Sequence, residues 1–387
     1  MPDVGLTPIL NILHPASGIL HATCSCSHPV SHVTTFIDFE CLAASPGSEG
    51  KTRAAASHPV MLGALGCRAD ERVFRQSILD ARLHGARVAR VGLAAESLGA
   101  AVATLLVQCP DGPIVSWSNF DAQVVAAATD VAAHVKHRFA ARHSNAIPTA
   151  DKWRRLVRPS IQLPLNDRGA AVNELKPYMR HLGIRTPPEL TPGRPAFWAR
   201  YVLGRLAQAD GRYRRLEPRA KRAWHNLLEY NRLDCDGLRE VHERATRELA
   251  LWDSYRRTTF TVHGTPPIAI RIGGNPRPLR RLLARHNCGE WTFVTAWNPA
   301  SVPLTDAENA RRNAALRAEL ERRWTVLAGV GAGEDASWTP EESFLVLGIP
   351  RAAAVAIGRK YGQLAIVHGT SHTAAELGPC EPRITRP

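Results

Sequence analysis

The first 145 residues contain short apolar runs and longer segments with helical spacing. Residues 33–39 (VTTFIDF) are β-branched and aromatic, which predicts a buried strand, and residues 59–65, 73–79 and 113–117 predict three more. Residues 97–107 and 122–142 have apolar positions at helical spacing and predict helices. This part of the chain should therefore contain both strands and helices.

The next segment is rich in proline and then becomes continuously helical. Residues 145–195 predict short helical pieces between prolines. Residues 195–209 and 218–252 predict two longer helices. No internal repeat is visible in the sequence.

The pattern changes near residue 260, where short strands and helices alternate. The expected strands are 260–262, 268–272, 291–296, 342–347 and 364–367, and the expected helices are 276–285, 305–323 and 352–361. Gly264, Pro266 and Pro267 suit a boundary between two units. We therefore expect an α+β domain here.

The predicted organisation has four parts. It comprises a loose leader at 1–33, a first domain at 34–255, a second, α+β domain at 264–370, and a tail at 371–387. The loop that follows the first strand, 43–57, is rich in small residues.

The hydrophobic content and the length of the apolar runs limit the classes of protein to which this chain can belong. Hydrophobic residues make up 44% of the chain, which is enough to bury cores and excludes a disordered protein. No apolar run reaches the roughly 18 residues of a spanning helix, and the N-terminus lacks a signal-peptide pattern. We expect a cytoplasmic protein without a membrane partner.

The net charge of +14 points to a polyanionic partner, since a basic surface attracts nucleic acid. An arginine-rich, GC-biased genome would produce the same composition. The charge alone therefore leaves both explanations open.

Two local patterns suggest other chemistry. Cys24 and Cys26, between His21 and His28, have zinc-ligand residue types, but their spacing is not that of a C-x₂-C site. The run 50–52 (GKT) resembles a phosphate-binding loop, yet the pattern needs glycine where Ser45 stands. An accidental origin is favoured for both.

The first carboxylate pair lies on the first predicted strand. Side chains of a strand alternate between faces, so Asp38 and Glu40 point the same way. Two acids on one face of an apolar strand are unfavourable unless a cation neutralises them or they reach water at the strand end.

Two further acids follow. Asp121, in the run Asn119-Phe120-Asp121, stands where a strand leads into a helix, a position at which a carboxylate also serves as a cap. Tyr230 and Asp234 lie four apart on a predicted helix and share a face.

These three pieces together resemble the exonuclease motifs of the DEDD superfamily, near the predicted ribonuclease H-like nucleases associated with RecB-type proteins. The resemblance covers about 34–245 and rests on D-x-E, N-F-D and Y-x₃-D in that order. Tyr230 matches the DEDDy subgroup, because the DEDDh subgroup would need histidine where Glu229 stands.

The resemblance implies an α/β fold of the ribonuclease H-like class, a mixed sheet with helices on both sides. It implies that Asp38, Glu40, Asp121 and Asp234 bind two Mg²⁺ or Mn²⁺ ions, with Tyr230 orienting the attacking water. The implied activity is hydrolysis of phosphodiester bonds in DNA or RNA by a 3′→5′ exonuclease.

An alternative is a nucleic-acid-binding module with little or no catalytic activity, in which the C-terminal domain carries the biological role. The loop after Glu40, which does not align with the family, favours this alternative.

A basic cluster precedes the helix that carries Tyr230. Its members are Arg212, Arg214, Arg215, Arg219, Lys221 and Arg222. Tyr213 is interleaved and Glu217 is the only acid among them, so we expect phosphate contacts here. A solvated helix face is the other interpretation.

The second domain has its own signature in the runs 295–299 (TAWNP) and 341–344 (EESF). It resembles a small uncharacterised bacterial domain family, which implies no activity. Asn298, Glu342 and Gln363 stand at expected strand ends and are candidates for a pocket, although turn formation and capping would explain them equally.

Overall fold

The computed structural model describes residues 33–42, 53–68, 71–191, 194–334 and 339–381. The predicted leader up to residue 32 with its cysteine and histidine run, the glycine-lysine-threonine run, most of the loop after the first strand and the end of the tail lie outside these residues. Among the described residues, no helix is both long and apolar enough to cross a bilayer.

The first sheet has six strands. They are Thr34–Leu42 (β1), His58–Arg68 (β2), Glu71–Ile78 (β3), Leu93–Ala95 (β4), Ile114–Ser116 (β5) and His143–Asn145 (β6). Their order is β4-β3-β2-β1-β5-β6. Only β2 runs antiparallel to its neighbours, so the sheet is mixed and mainly parallel.

Among the residues that the structure describes, eight α-helices accompany this sheet. They are Arg53–Ala56 (α1), Leu98–Gln108 (α2), Phe120–Ala127 (α3), Ala133–Arg142 (α4), Ile147–Leu156 (α5), Leu175–His181 (α6), Pro195–Gln208 (α7) and Pro218–Arg257 (α8). Short 3₁₀ segments occupy Ala81–Ala89, Pro188–Leu190 and Tyr213–Arg215.

Both faces of the sheet are covered, as the alternation along β1 shows. Phe36 packs in a buried cluster with Trp153 of α5 and Leu238 of α8. Its neighbour Ile37 points the other way, into a cluster with Leu105 of α2 and Phe139 of α4. Asp38 and Glu40 stand two and four residues after Phe36, so their side chains lie on the same face of β1 as Phe36, the face that α8 covers.

The second sheet is antiparallel throughout and has seven strands. They are Thr259–Val262 (β7), Ile268–Arg271 (β8), Glu290–Val294 (β9), Thr325–Ala332 (β10), Glu341–Leu347 (β11), Ala365–Thr370 (β12) and Glu376–Pro379 (β13). Their order is β13-β12-β9-β11-β10-β7-β8. The accompanying helices are Arg277–Arg285 (α9), Asp306–Leu320 (α10) and Arg351–Lys360 (α11), with a 3₁₀ segment at Pro299–Ser301.

The expected fold class is confirmed: a mixed α/β sheet flanked by helices is followed by a smaller α+β unit. Several details differ from the sequence predictions, among them β4 and β6 of the first sheet, which were not predicted. The helix expected over 122–142 is two helices separated by 128–132, where the Asp130 side chain accepts a hydrogen bond from the Gly99 amide at 3.0 Å. No helix breaker marks that interruption in the sequence, and Asp130 there contacts the first turn of α2.

Two strands of the second sheet were not predicted. β10 contains Gly329 and Gly331, which weaken a strand pattern, and it is fixed by pairing on both edges. β13 lies in the segment expected to be a loose tail, and it pairs with β12 through residues such as Leu377, opposite Val367. The tail prediction is therefore wrong for Glu376–Pro379.

Candidate active site

Three carboxylates meet between β1 and α8. Asp38, Glu40 and Asp234 each offer an oxygen, and these atoms all lie within 4.8 Å of one another. The two acids of β1 are on one face because of the strand period, and α8 crosses that face. We name these three residues the acidic cluster.

The position of Asp38 is fixed by hydrogen bonds from α8. The Asn231 amide donates to the Asp38 backbone carbonyl at 3.0 Å and to its carboxylate at 2.9 Å. Gln76 in turn donates to the Asn231 side-chain oxygen at 3.0 Å. Asn231 is completely buried, so this network holds the carboxylate in one orientation.

A glycine makes this close approach possible. Gly63 of β2 pairs with Asp38, and a Cβ atom at Gly63 would lie 2.3 Å from the side-chain oxygen of Asn231. Any larger residue at this position would displace Asn231 from the acidic cluster.

Glu40 is the most buried acid of the cluster, with 6% of its surface exposed. Its Oε1 atom has no hydrogen-bond partner among the described residues. Burial first, and then the charges of Asp38 and Asp234, raise the pKa of the Glu40 carboxyl well above its usual range. Burial, with Asp234 and Asp121, does the same to the pKa of Asp38.

Asp121 lies beside the acidic cluster and is not one of its three members. It belongs to the first turn of α3, and its Oδ1 accepts a hydrogen bond from the Phe39 amide at 3.1 Å. Burial raises its pKa to about 6, against the effect of that hydrogen bond. Its charge nevertheless contributes to the raised pKa of Asp38.

Tyr230 stands at the edge of the cluster, one helical turn before Asp234. Burial and then the charges of Asp234, Glu40 and Asp38 raise the pKa of its phenol. The phenol therefore remains protonated at neutral pH and can donate a hydrogen bond rather than accept a proton.

Lys176 of α6 is a functional candidate that the sequence did not reveal. Its ammonium forms an ion pair with the Asp234 carboxylate and lies 4.3 Å from the centroid of the Tyr230 ring. The pKa of Asp234 is raised by burial, and Lys176 opposes that rise. Nothing in the sequence near residue 176 indicates this contact, since 58 positions separate the two residues.

The basic cluster runs from Arg212, just before the 3₁₀ segment Tyr213–Arg215, to Arg222 near the start of α8. Arg215 forms an ion pair with Asp210 at 3.1 Å. The exposed guanidinium groups of Arg212, Arg214 and Arg222 have no carboxylate within ion-pair distance in the part of the chain that the structure describes. At about 1.5 Å of rise per residue, Arg219 lies about 16 Å from Tyr230 along α8.

Of the three C-terminal candidates, one lines a cavity and another holds a loop. Gln363 lines a cavity of about 420 Å³ between the unit built on the first sheet and the unit built on the second sheet. Asn298 and Glu342 are not among the residues that line this cavity. The Gln363 amide donates to the Trp297 carbonyl at 2.8 Å. Asn298, in the left-handed region with φ 40°, donates to Glu341 at 3.0 Å. These contacts hold the loop that follows β9.

The chain resembles known proteins over two different regions. Residues 294–366 match the model of a family described as a protein of unknown function (DUF3293), which includes both C-terminal runs of the sequence. No curated protein matches the chain.

Solved structures of exonuclease I are weakly similar to the chain. One, in complex with the inhibitor BCBP, is 13% identical over 66% of this chain and 61% of its own, with a TM-score of 0.27. The enzyme of Methylocaldum szegediense is 13% identical over 64% of this chain and 52% of its own, also at 0.27. Escherichia coli exonuclease I with a 5cy-dT13 oligonucleotide is 14% identical over 64% of this chain and 53% of its own, with a TM-score of 0.26.

The chain thus spans about three fifths of the length of the first of these enzymes. At such low identities and TM-scores, the similarity carries no argument about activity. The functional case rests on the acidic cluster.

Proposed function

We propose that this chain is a divalent-metal-dependent nuclease of the DEDDy, ribonuclease H-like type, and that it hydrolyses phosphodiester bonds of DNA or RNA from the 3′ end. The observation that carries the proposal is the acidic cluster. Three carboxylates from β1 and α8 lie within 4.8 Å of one another, next to Asp121 and Tyr230. Three ionised carboxylates this close repel one another, and a cation bound among their oxygens relieves that repulsion, as protonation does in its absence.

The residues fit a hard divalent cation. All donors are carboxylate oxygens, the ligands preferred by Mg²⁺ and Mn²⁺, and the buried Oε1 of Glu40 has no other partner among the described residues. Asp38, Glu40 and Asp234 would hold the metal, with Asp121 as a ligand at the edge. Two such ions, when bound, stabilise negative charge on the attacking and leaving oxygens of a phosphodiester.

The remaining residues position the reactants. Asn231 keeps the Asp38 carboxylate turned into the site through its two hydrogen bonds. Tyr230, with its raised pKa, donates a hydrogen bond and orients the attacking water. The basic cluster binds the phosphates of the substrate on the approach to the site.

The direct test uses purified protein with end-labelled single- and double-stranded DNA and RNA, in Mn²⁺, Mg²⁺ or EDTA. Stepwise shortening from the 3′ end that requires the metal is the expected result. If no substrate is cut and Mn²⁺ does not bind by calorimetry, the proposal is wrong.

One observation favours a second candidate, a nucleic-acid-binding module with little or no catalytic activity. Lys176 already supplies a positive charge to Asp234, which partly replaces a metal ion. Calorimetry separates the candidates, because a site neutralised by Lys176 would bind single-stranded oligonucleotide but no Mn²⁺.

A further inference from the structure

Helix α7 presents an aromatic surface to solvent. Phe197 is 51% exposed, and its ring lies nearly parallel to that of Tyr201, at 4° with centroids 6.3 Å apart. The two residues are one turn apart, so their side chains form a continuous strip on one face of the helix. We name Phe197 and Tyr201 the aromatic strip.

Helix α7, which carries the aromatic strip, contacts α8 near both the acidic cluster and the basic cluster. Trp198, next to Phe197, contacts the Tyr230 ring edge-to-face with centroids 5.9 Å apart. The guanidinium of Arg219 lies 5.6 Å from the Tyr201 ring. Helix α7 therefore runs antiparallel to the first turns of α8, with Phe197 toward the Tyr230 end of that contact and Tyr201 toward the Arg219 end.

The charge around the aromatic strip is positive. The guanidinium of Arg205 also lies near the Tyr201 ring, at 5.3 Å, and its own carboxylate partner is Glu217 at 3.3 Å. Arg194 and Arg200, on or next to α7, are exposed and have no carboxylate within ion-pair distance among the described residues. Aromatic faces beside unpaired guanidinium groups suit a ligand with both flat rings and phosphates.

We propose, resting on the proposed function, that the aromatic strip stacks the unpaired bases of a single strand whose end enters the acidic cluster. Every base has a π-face, so stacking on Phe197 and Tyr201 does not depend on sequence. In a duplex those faces are covered by neighbouring bases, and only the phosphates remain accessible. The substrate is therefore single-stranded nucleic acid, and the strip discriminates it from duplex.

The test measures binding in EDTA, so that cleavage does not contribute. Fluorescence anisotropy of a labelled dT oligonucleotide and of a blunt duplex is compared for wild type, Phe197→Ala, Phe197→Leu and Phe197→Trp. Removing the stacking of one base should weaken single-strand binding about tenfold or more. Phe197→Leu should resemble the alanine variant, since it keeps apolar area without a π-face, and Phe197→Trp should restore binding.

A control variant outside the strip defines the result. Val107→Ala removes an exposed apolar side chain from α2 (Val107 is 74% exposed) and should leave binding unchanged. Duplex affinity should change little in every variant.

The outcomes separate this inference from the proposed function. Unchanged single-strand binding in Phe197→Ala, or an equal loss for duplex, would overturn the role of the aromatic strip while metal-dependent cleavage stands. A wild-type dimer that Phe197→Ala converts to a monomer would show that the strip is an interface between copies, and would also overturn it. Wild-type protein that binds no nucleic acid of either kind would overturn both proposals.

Discussion

The ammonium of Lys176 is paired with the carboxylate of Asp234, inside a group of acids that also contains Asp38 and Glu40. Lys176 is only 23% exposed and Asp234 14% exposed, so the pair lies in a poorly hydrated environment. The lysine and a metal ion would compete for the same carboxylate. Whether Asp234 is free to bind a metal ion therefore depends on whether it is paired with Lys176.

We expect Lys176→Met to destabilise the metal-free protein, because the buried carboxylates lose their nearest cation, and to increase the stabilisation by Mn²⁺. A ligand that binds only the native state stabilises it more as the ratio of ligand concentration to Kd grows. The rise in melting temperature on adding Mn²⁺ therefore measures the competition between Lys176 and the metal. Lys152→Met is the matched control, since Lys152 is half exposed and 3.8 Å from Asp253. An identical Mn²⁺ shift in wild type and Lys176→Met would show that no competition exists.

Neutral substitutions of the acids should abolish cleavage. Asp38→Asn and Asp121→Asn each remove a proposed ligand charge, and we expect losses of several orders of magnitude in the rate of phosphodiester cleavage. Asp236→Asn is the control on the same helix as Asp234, because Asp236 pairs with Arg232 at 3.0 Å. Cleavage that persists in both ligand variants would place the activity elsewhere.

The buried carboxyl of Asp121 should make stability depend on pH in metal-free protein. Its pKa is about 6 in the folded chain and near 3.9 when unfolded. The folded state therefore binds more protons between these values, and stability falls as pH rises from about 4 to about 6.

Asp121→Asn removes this titration and serves as the reference. The free energy of unfolding of wild type should fall relative to the variant by about 3 kcal/mol over that interval. Urea unfolding in EDTA at several pH values measures the difference. A difference that does not change with pH would mean that folding does not raise the pKa of Asp121.

The basic cluster should contribute to binding in a salt-dependent way. Charge reversal at Arg214 and Arg215 should prevent these side chains from pairing with phosphates, and each phosphate that is no longer neutralised lowers the slope of log affinity against log salt by about 0.7–0.9. Reversal of Arg322 and Arg323, which are exposed just after α10, is the control for net charge. Equal effects of the two double variants would assign the change to net charge alone.

The unit built on the first sheet and the unit built on the second sheet contact each other, so the first unit loses these contacts when it is isolated. Leu364 packs in the buried cluster of Trp153 and Leu238, and Arg158 forms an ion pair with Glu381 at 2.7 Å. We expect a fragment of residues 30–258 to keep cleavage activity, because the acidic cluster lies wholly within it, and to unfold at a lower temperature. Limited proteolysis near residue 260 prepares the fragment. An inactive or aggregating fragment would show one integrated unit.

Local periodicity determined a large part of this architecture. The β-branched run of β1 specified a strand, and its two-residue period placed Asp38 and Glu40 on one face. The helical period placed Tyr230 and Asp234 together on another element. The alternation of short apolar runs and helical segments determined the fold class, because these patterns reflect contacts within a few residues of the chain.

The tertiary structure alone decided what surrounds the acids. Asn231 reaches Asp38 across 193 positions, Lys176 reaches Asp234 across 58, and Gly63 leaves room for Asn231. Asp121 accepts a hydrogen bond from the Phe39 amide across 82 positions. Such contacts depend on how distant elements pack, and no periodicity within one element encodes them.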